Sequence, residues 1–480
     1  MLDSLELLDF PDSVKKGELV LGLGNAVDLK DFQDAAAAHG VRVLGTVPAL
    51  GLARVSTRNL RGIAKLSEQF GDDMQAGLNH QIRAPAPAAP IDGGGSKGFG
   101  AGALGWLGVP ESNLEWGRGV KIAILDSGVW TQHEAFGNSN ITQLDLLEPE
   151  QSVPGEYDGH GTAVASLIVG GTQAHRGIAP AASLLSVRVL DGEGSGDSFT
   201  LAEGIVAAVD QGATVISMSL GAAGEGIVLR KAVDYALANG AVLVASAGND
   251  AGSRTTYPAA YPDVIGVSAV DADGKLADFS NIGEGLDLAA PGIGLRSAWV
   301  GDKDVSFSGT SASAPLVAGA VAGILSQEPR LSAMEVKDLL AAYADDGYAP
   351  GMDPLIGHGV LNLERVLERN QRGVYDVAVG GFHFSPLTST SSNKGFEISV
   401  QNRGTEWVSG ATLDLNVQGQ TKRIFIGSMK PREVLSTEWF LTPEQILDAN
   451  GTRIDAKVTL DGRRDIRPGN DSWTTRMVLP

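Results

Sequence analysis

The sequence predicts an α/β protein built on a parallel β-sheet, with a small α+β unit before this sheet and an all-β sandwich after it. Three observations predict this organisation. Between residues 105 and 370, short apolar strands alternate with helices, which is typical of a parallel sheet covered on both faces. The preceding residues alternate shorter strands and helices, and from about residue 374 apolar side chains recur with period two.

Composition agrees with several ordered domains and excludes some functions. The chain has 480 residues, of which 43% are hydrophobic, and a length prior suggests about three domains. The formal charge is 37 − 57 = −20, with no basic patch to bind a phosphate backbone. The absence of cysteine excludes disulfides, a thiol nucleophile and thiolate metal sites.

Residues 14–82 show the order β-α-β-β-α-β, a ferredoxin-like arrangement. The first helix is rich in alanine and ends before Gly40, a residue type that commonly terminates helices. We assign residues 1–83 to this small domain. Its predicted strands are Glu18–Leu23, Val41–Leu44, Gly51–Ser56 and Met74–Ile82, and its predicted helices are Leu29–His39 and Asn59–Phe70.

Residues 84–104 have the composition of a linker. Alternating alanine and proline give a stiff first part, and a Gly-Gly-Gly-Ser-Lys-Gly run gives a flexible second part. Exposed linkers of this kind are where proteolytic cleavage concentrates. We expect a maturation cut here, with an uncut tether between domains as the open alternative.

Residues 105–372 form the predicted central domain. Glycine stands at helix-to-strand junctions such as Gly212 and Gly240. The predicted strands are Val120–Leu125, Leu184–Leu190, Thr214–Leu220, Ala241–Ala247 and Val264–Val270, and the predicted helices are Thr162–Val169, Leu201–Gln211, Ile227–Asn239, Ser311–Ser326 and Ala333–Ala342.

Residues 373–480 alternate apolar and polar side chains between turn residues, which predicts a small antiparallel β-sandwich. The pattern looks like an adhesion-type or fibronectin-like accessory module. The predicted strands are Asp376–Val379, Gly395–Gln401, Ala411–Val417, Arg423–Ile426, Arg453–Leu460 and Ser472–Val478.

Three glycine-flanked segments of the central domain carry a carboxylate, an imidazole and a hydroxyl in chain order: Asp126, His160 and Ser311. Peptide hydrolysis by serine needs a hydroxyl nucleophile, a general base beside it and a carboxylate that orients the base. Asp126 follows an apolar strand, so it is expected at a carboxyl edge of the sheet, where α/β proteins place their sites. His160 and Ser311 each begin a helix, and a helix N-terminus offers free N–H groups to a developing oxyanion.

Singly, these residues have structural interpretations, as a turn aspartate, a structural histidine and a helix N-cap. Together, in the order Asp, His, Ser and with Asn249 in Ser-Ala-Gly-Asn-Asp between the last two, they resemble the subtilisin-like serine proteases, or subtilases. The resemblance implies a three-layer subtilisin-like catalytic domain over residues 105–372. It also implies a triad of Asp126, His160 and Ser311, an oxyanion donor in Asn249, and an inhibitory propeptide in residues 1–83.

The resemblance further assigns two edges of a substrate cleft, between which a peptide would lie as an added strand. The glycine-rich edge is also compatible with a flexible loop. Thr256 stands where the family often has glycine at the floor of the first specificity pocket, so we expect a narrower pocket without assigning a preferred side chain. The substrate-binding candidates are Gly194, Ser195, Gly196, Ser219, Leu220, Gly221, Ala247, Gly248 and Thr256.

No cofactor is required for this chemistry. Departures of this sequence from the family pattern make a strong calcium site of the familiar kind unexpected. His133-Glu134-Ala135 replaces the His-Pro-Asp of the family, which loses a ligand carboxylate, and the usual calcium loop is shortened to Gly170–Gly177. Asp287, with carbonyl groups near Ala259 and Tyr261, is the candidate for a weak structural calcium site made of oxygen ligands.

The sequence therefore predicts a serine endopeptidase made as a self-inhibited zymogen. Its expected partners are a protein or peptide substrate and its own propeptide, and we expect a monomer with no nucleic-acid partner. No run of about 18 apolar residues predicts a transmembrane segment. The resemblance implies secretion, whereas the residues after Met1 lack the pattern of a signal peptide, so an intracellular protease is the alternative if Met1 is the native start. The alternative function is a catalytically silent binding or adhesion protein.

Overall fold

The structure is a computed structural model, and it describes residues 13–24, 26–86, 96–148, 154–383, 395–442, 445 and 451–477. The chain divides into two compact units. The first runs to Ala103 and continues over Glu111–Leu286 and Ala290–Val336, and the second contains Leu104–Pro110, Asp287–Ala289 and the chain from Lys337 onward. Much of the predicted linker, residues 87–95, lies outside the described residues.

The N-terminal part of the first unit is a four-stranded antiparallel sheet with two helices. The strands lie in the order β2-β3-β1-β4. Phe32 of the first helix and Ile63 and Leu66 of the second are buried with apolar side chains of the sheet in one core. The elements are β1 Val14–Leu23, α1 Leu29–Ala38, β2 Val43–Val47, β3 Leu52–Ser56, α2 Leu60–Phe70 and β4 Met74–Arg83.

The rest of the first unit is organised by a seven-stranded sheet of order β12-β11-β10-β9-β5-β7-β6, in which every pair from β11 to β6 is parallel. Its central strands are buried throughout, as expected of a sheet covered on both faces. The strands are β5 Lys121–Asp126, β6 Ile141–Asp145, β7 Ser183–Arg188, β8 Ser195–Asp197, β9 Val215–Met218, β10 Val242–Ser246, β11 Ile265–Val270, β12 Leu286–Pro291, β13 Leu295–Trp299 and β14 Lys303–Phe307. The helices over this stretch of the chain are α3 Ala103–Trp106, α4 His160–Val169, α5 Ser198–Asp210, α6 Ile227–Ala238, α7 Thr310–Gln327 and α8 Ala333–Ala342, of which α3 and α8 each continue into the second unit.

Parallel strands bring their carboxyl ends to one edge of the sheet. Asp126 is the last residue of β5, Ser219 follows β9, and Asn249 lies three residues after the end of β10. These strands are neighbours in the sheet. The topology therefore gathers the predicted site residues of three strands at one edge.

The second unit contains two antiparallel sheets, of order β15-β16-β19 and β18-β17-β20-β21, that share one apolar core. This arrangement confirms the predicted all-β part. The sequence analysis missed β19. Among the described residues, no helix is long and apolar enough to span a membrane. The elements are α9 Leu363–Glu368, β15 Val377–His383, β16 Gly395–Asn402, β17 Val408–Val417, β18 Gln420–Met429, β19 Val434–Phe440, β20 Thr452–Leu460 and β21 Ser472–Met477.

Candidate active site

Asp126 and His160 are buried and hydrogen-bonded to each other. His160 Nδ1 lies 2.8 Å from Asp126 Oδ1 and 3.0 Å from Oδ2. The backbone N–H of Ser127 donates to the same Oδ1 at 2.7 Å, which fixes the carboxylate. Because an ionised carboxylate only accepts, the imidazole donates from Nδ1, and the neutral ring then presents Nε2 as an acceptor.

The surroundings of His160 hold its ring in place and leave Nε2 free. The ring of Phe307 meets it edge-on, with 5.4 Å between centroids. Nε2 is buried and has no hydrogen-bond partner among the described residues. The Ser127 hydroxyl, which donates to the Tyr157 carbonyl and accepts from Gly161 N–H, ties the loop after β5 to the start of α4. An unpaired buried acceptor is suited to taking a proton from a nucleophile.

Ser311 is the second residue of α7, and its hydroxyl is buried and without a hydrogen-bond partner among the described residues. Its carbonyl would ordinarily accept from the N–H of residue 315, but Pro315 has none. The Ser219 hydroxyl instead donates to this carbonyl at 3.1 Å. Helix α7 packs against α4, so the helices that begin near Ser311 and with His160 are neighbours.

Asn249 has its amide oriented by Thr310. The side-chain Oδ1 accepts from Thr310 N and Thr310 Oγ1, both at 2.9 Å. Thr310 Oγ1 in turn accepts from Gly248 N–H at 3.1 Å. With Oδ1 held, Nδ2 donates to the Ala86 carbonyl at 2.9 Å. Gly309 is required beside it, because a Cβ there would lie 2.6 Å from Nδ2 and its φ is +132°.

An extended segment of the chain itself lies between the two predicted substrate edges. Strand β4 continues the N-terminal sheet onto β8, with Ile82 opposite Gly196 and Arg83 opposite Ser195. On the other side, Arg83 and Gly221 exchange both backbone hydrogen bonds, at 3.0 and 2.9 Å. Ala84 N–H donates to Gly194 O at 2.8 Å. The segment thus occupies the cleft as an added strand, the geometry expected of a peptide substrate.

Comparison with known proteins places this geometry in a family. A family model described as the subtilase family matches residues 117–359, about half of the chain. Subtilisin DY of Bacillus licheniformis is 38% identical over 259 residues, which are 52% of this chain and 90% of that protein. Thermitase of Thermoactinomyces vulgaris is 40% identical over 232 residues, 48% of this chain and 82% of that protein. The solved protease domain of PatA is 31% identical over 53% of this chain and 96% of that domain, with a TM-score of 0.49.

The chain belongs to the subtilase family. It is a subtilisin-like serine peptidase with a subtilisin-like fold and additional β-sheets, as the sequence predicted. The catalytically silent alternative is not favoured, because the family model and the relatives named above are those of peptidases.

In this subtilase, Thr256 closes the space beside the oxyanion candidate. Its hydroxyl donates to the carbonyls of Ser246 and Ala247, at 3.3 and 3.1 Å. A Cβ on Gly221 would lie 2.3 Å from Thr256 Oγ1, and a Cβ on Gly248 would lie 3.1 Å from its Cγ2. Gly221 is therefore needed for the threonine to fit. A cavity of about 480 Å³ remains, lined in part by Gly221, Gly248, Thr256, Tyr157, Glu193 and Ala86.

The cleft is acidic on the side of Tyr157. Burial raises the pKa of the Tyr157 hydroxyl, Glu156 raises it further, Arg83 lowers it and Glu193 raises it. Arg83 of the seated strand thus lies within electrostatic range of the same hydroxyl as the two glutamates.

Asp287, the calcium candidate, has a cation of the chain itself as its partner. Lys337 Nζ lies 2.9 Å from each of its carboxylate oxygens, so an ammonium group engages the oxygens assigned to calcium. Among the described residues, no group of three or more His, Cys, Asp or Glu side chains is arranged to hold a metal ion. The described residues therefore give no support to calcium at Asp287.

Sequence reasoning missed Thr310 as a determinant of the site. The residue stands inside the Gly-Thr-Ser segment, but a threonine at a helix start ordinarily signals only a cap. The sequence signal that could have identified Thr310 was its position between Gly309 and the candidate nucleophile, Ser311.

Proposed function

We propose that this subtilase hydrolyses peptide bonds within protein chains through Ser311, His160 and Asp126. The observation that carries the proposal is the seated strand: a backbone carbonyl, that of Ala86, accepts a hydrogen bond from Asn249 between the two cleft edges. A substrate carbonyl in this place would meet an oxyanion donor while its strand is held by main-chain bonds. Such binding orients the carbonyl with little dependence on side chains.

In the proposed reaction, Ser311 Oγ attacks the carbonyl carbon while His160 Nε2 takes its proton. Asp126 keeps the ring in the tautomer that accepts at Nε2 and stabilises the imidazolium. The negative oxygen is stabilised by Asn249 Nδ2 and by the N–H groups at the start of α7. His160 then protonates the leaving amine, and water hydrolyses the acyl-enzyme through the same histidine.

The N-terminal domain is proposed to be an inhibitory propeptide. The pairing of β4 with β8 and the bonds of Arg83 to Gly221 support this role, since they block the cleft with the chain itself. A cut in residues 84–104 would mature the enzyme. We further propose secretion, the usual fate of the family, and a role for the β-sandwich in positioning substrate or anchoring the enzyme.

Labelling with a fluorophosphonate tests the assignment of the nucleophile. The full chain is labelled before and after limited digestion with trypsin, for which the exposed Lys97 is a target. We expect labelling to increase after digestion and to disappear in Ser311→Ala and His160→Ala. Turnover of a peptide should fall by about 10⁶ in kcat without the serine, a scale borrowed from subtilisin. For the change Asp126→Asn it should fall by about 10⁴, a scale borrowed from the chymotrypsin-type triad.

Ser313→Ala is the matched control for the nucleophile. This buried serine lies one residue further along α7 from Ala312, and its hydroxyl donates to the carbonyls of Ala290 and Pro291. The Ser313→Ala variant should be labelled like the wild type. Labelling that persists in Ser311→Ala, or that never occurs after digestion, would remove the proposed mechanism.

A further inference from the structure

In the sequence, a proline stands on each side of Ala86, the residue whose carbonyl accepts from Asn249. Pro85 precedes Ala86, and in the sequence Pro87 follows it, so both peptide bonds of Ala86 involve a proline. The inference drawn from this pattern rests on the proposed function, because it concerns which bonds the proposed nucleophile can cut.

Pro85 interrupts the hydrogen-bond ladder along one edge of the cleft. Arg83 exchanges both backbone bonds with Gly221, and in an antiparallel ladder the next such pair would join residue 85 to Ser219. Pro85 has no N–H to donate. The cleft therefore holds the chain N-terminal to the scissile position through Arg83 and Ala84. The Pro85–Ala86 peptide bond lacks the main-chain hydrogen bond that would align it.

Pro87 makes the other bond, Ala86–Pro87, an X-Pro bond. Hydrolysis of Ala86–Pro87 would form a bond between Ser311 Oγ and the Ala86 carbonyl carbon and break the bond from that carbon to the Pro87 nitrogen. The proton from Ser311 would pass through His160 to that nitrogen, and water would then release the acyl group. The proline nitrogen carries a ring carbon where an ordinary peptide nitrogen carries hydrogen, and in an X-Pro bond that ring restricts the preceding residue.

A shift of register does not readily free the segment. A slide by one residue reverses the face that each side chain presents. A slide by two would place Pro85 opposite Gly221, where the N–H of Arg83 now donates to the glycine carbonyl at 3.0 Å. In the present register, Arg83 and Ala84, which have N–H groups, lie where they can donate to the carbonyls of Gly221 and Gly194.

We propose that Pro85 and Pro87 make the seated segment a strand that the enzyme binds but does not cut, so that the maturation cut falls at another bond. The N-terminal domain then stays covalently intact through Ala86 while it occupies the cleft. Release requires a cut further along the linker, by another copy of the enzyme or by a different peptidase.

Intact mass of the full chain tests this proposal. We compare the wild type, Pro87→Ala, Pro85→Ala and the double variant, each also with Ser311→Ala. The wild type should give no fragment that ends at Pro85 or Ala86. The double variant should give such a fragment, only with Ser311 present, at a rate at least about tenfold above the detection limit that applies to the wild type. Pro90→Ala, a proline of the same linker that does not adjoin Ala86, is the matched control and should behave like the wild type.

Each outcome decides the proposal. A wild-type fragment that ends at residue 85 or 86 overturns it. It is equally overturned if the double variant is labelled by fluorophosphonate at Ser311 after trypsin digestion yet keeps both bonds of Ala86 intact. If no variant is labelled at Ser311 even after digestion, the proposed function itself has failed and this inference fails with it, which the labelling distinguishes from a failure of the proline argument alone.

Discussion

At the scale of single residues, the site depends on a threonine that does no chemistry. Thr310 donates twice to Asn249 Oδ1, from its backbone N–H and from its hydroxyl. An asparagine side chain can present either its amide oxygen or its amide nitrogen to the substrate. Only the nitrogen, which carries hydrogen, can stabilise an oxyanion. The two bonds select that end, so Thr310 is a positioning residue in our proposal.

The change Thr310→Val removes the hydroxyl and keeps the shape of the side chain. Asn249 loses one of its two restraints and Gly248 N–H loses its acceptor. We expect kcat for a peptide to fall by about tenfold, corresponding to about 1.4 kcal/mol, with KM nearly unchanged because the hydrogen bonds of the Thr310 hydroxyl go to Asn249 and Gly248 rather than to the seated strand.

Thr310→Ser is the control for this prediction, since it keeps the hydroxyl and should retain most of the turnover. The measurement is steady-state kinetics after maturation. An equal loss in the serine variant, or a loss that appears in KM alone, would show that Thr310 does not act through Asn249.

At the scale of elements, helix α7 and strand β9 are joined by a bond that a proline makes necessary. Pro315 leaves the Ser311 carbonyl without its helical partner, and the Ser219 hydroxyl supplies one. A buried carbonyl without a partner destabilises the folded state by about 1–3 kcal/mol. The helix can thus keep a proline one turn after Ser311 because the residue that follows β9 is a serine.

The change Ser219→Ala should lower the free energy of unfolding by about 1–2 kcal/mol. In a Pro315→Ala background, the restored N–H of residue 315 can donate to the Ser311 carbonyl. The change Ser219→Ala should therefore lower the free energy of unfolding by clearly less in that background. Urea denaturation of the four proteins measures this coupling. To avoid self-digestion, all four carry Ser311→Ala.

Ser217→Ala is the control at the element scale. Ser217 lies on β9 two residues earlier and is buried, and its hydroxyl has no hydrogen-bond partner among the described residues. Its removal should leave stability nearly unchanged. Additive costs in the Ser219 and Pro315 cycle would contradict the proposed bond.

The elements that sequence could predict are those with a strong local pattern. The central strands read as short apolar runs, and the structure gives β5 and β10 within one residue of the predicted bounds at each end. The edge strand β6, Ile141–Asp145, was missed because its side chains are largely exposed and its sequence is polar. Its pairing with β7 is a tertiary event that leaves no local signal.

The same distinction holds for the site. Asp126, His160, Ser311 and Asn249 were picked out because glycines and strand ends surround them. The contact of Asn249 with Ala86 depends on residues 163 positions apart, which no local pattern encodes.

At the scale of the whole first unit, the N-terminal domain meets the catalytic domain through charge as well as through β4. Asp197, nearly buried, ends β8 and accepts from Lys15 Nζ at 3.1 Å, with Arg54 Nη1 at 3.6 Å. Asn79 of β4 accepts from the Phe199 N–H and from the Ser198 hydroxyl at the start of α5. The docking surface thus places two cations of the N-terminal domain on one buried carboxylate of an acidic protein.

The charge of Asp197 makes docking depend on pH. Burial alone would raise the pKa of this carboxyl, but Lys15, the Thr200 N–H and Arg54 outweigh burial and hold the pKa below its ordinary value. An aspartate side chain without such partners has a pKa of about 3.9. A lowered pKa in the docked state means that its contribution is fully present above the undocked value and is lost as the pH falls through the docked one.

We therefore expect acid to loosen the N-terminal domain before the catalytic domain unfolds. In the Ser311→Ala chain, hydrogen exchange at Arg83 and Ala84, whose N–H groups donate to Gly221 and Gly194, should be protected from pH 7 to about 5 and lose protection below about 4. Amides of β10 should stay protected over the same range.

The control variant Asp197→Asn keeps a capping oxygen for α5 and removes the charge. In this variant the protection of the Arg83 and Ala84 amides should be lower at pH 7 and nearly independent of pH. A loss at acid pH of the same size in this variant would assign the effect to other groups, and protection maintained to pH 3 in the parent would show that the carboxylate does not hold the domain in place.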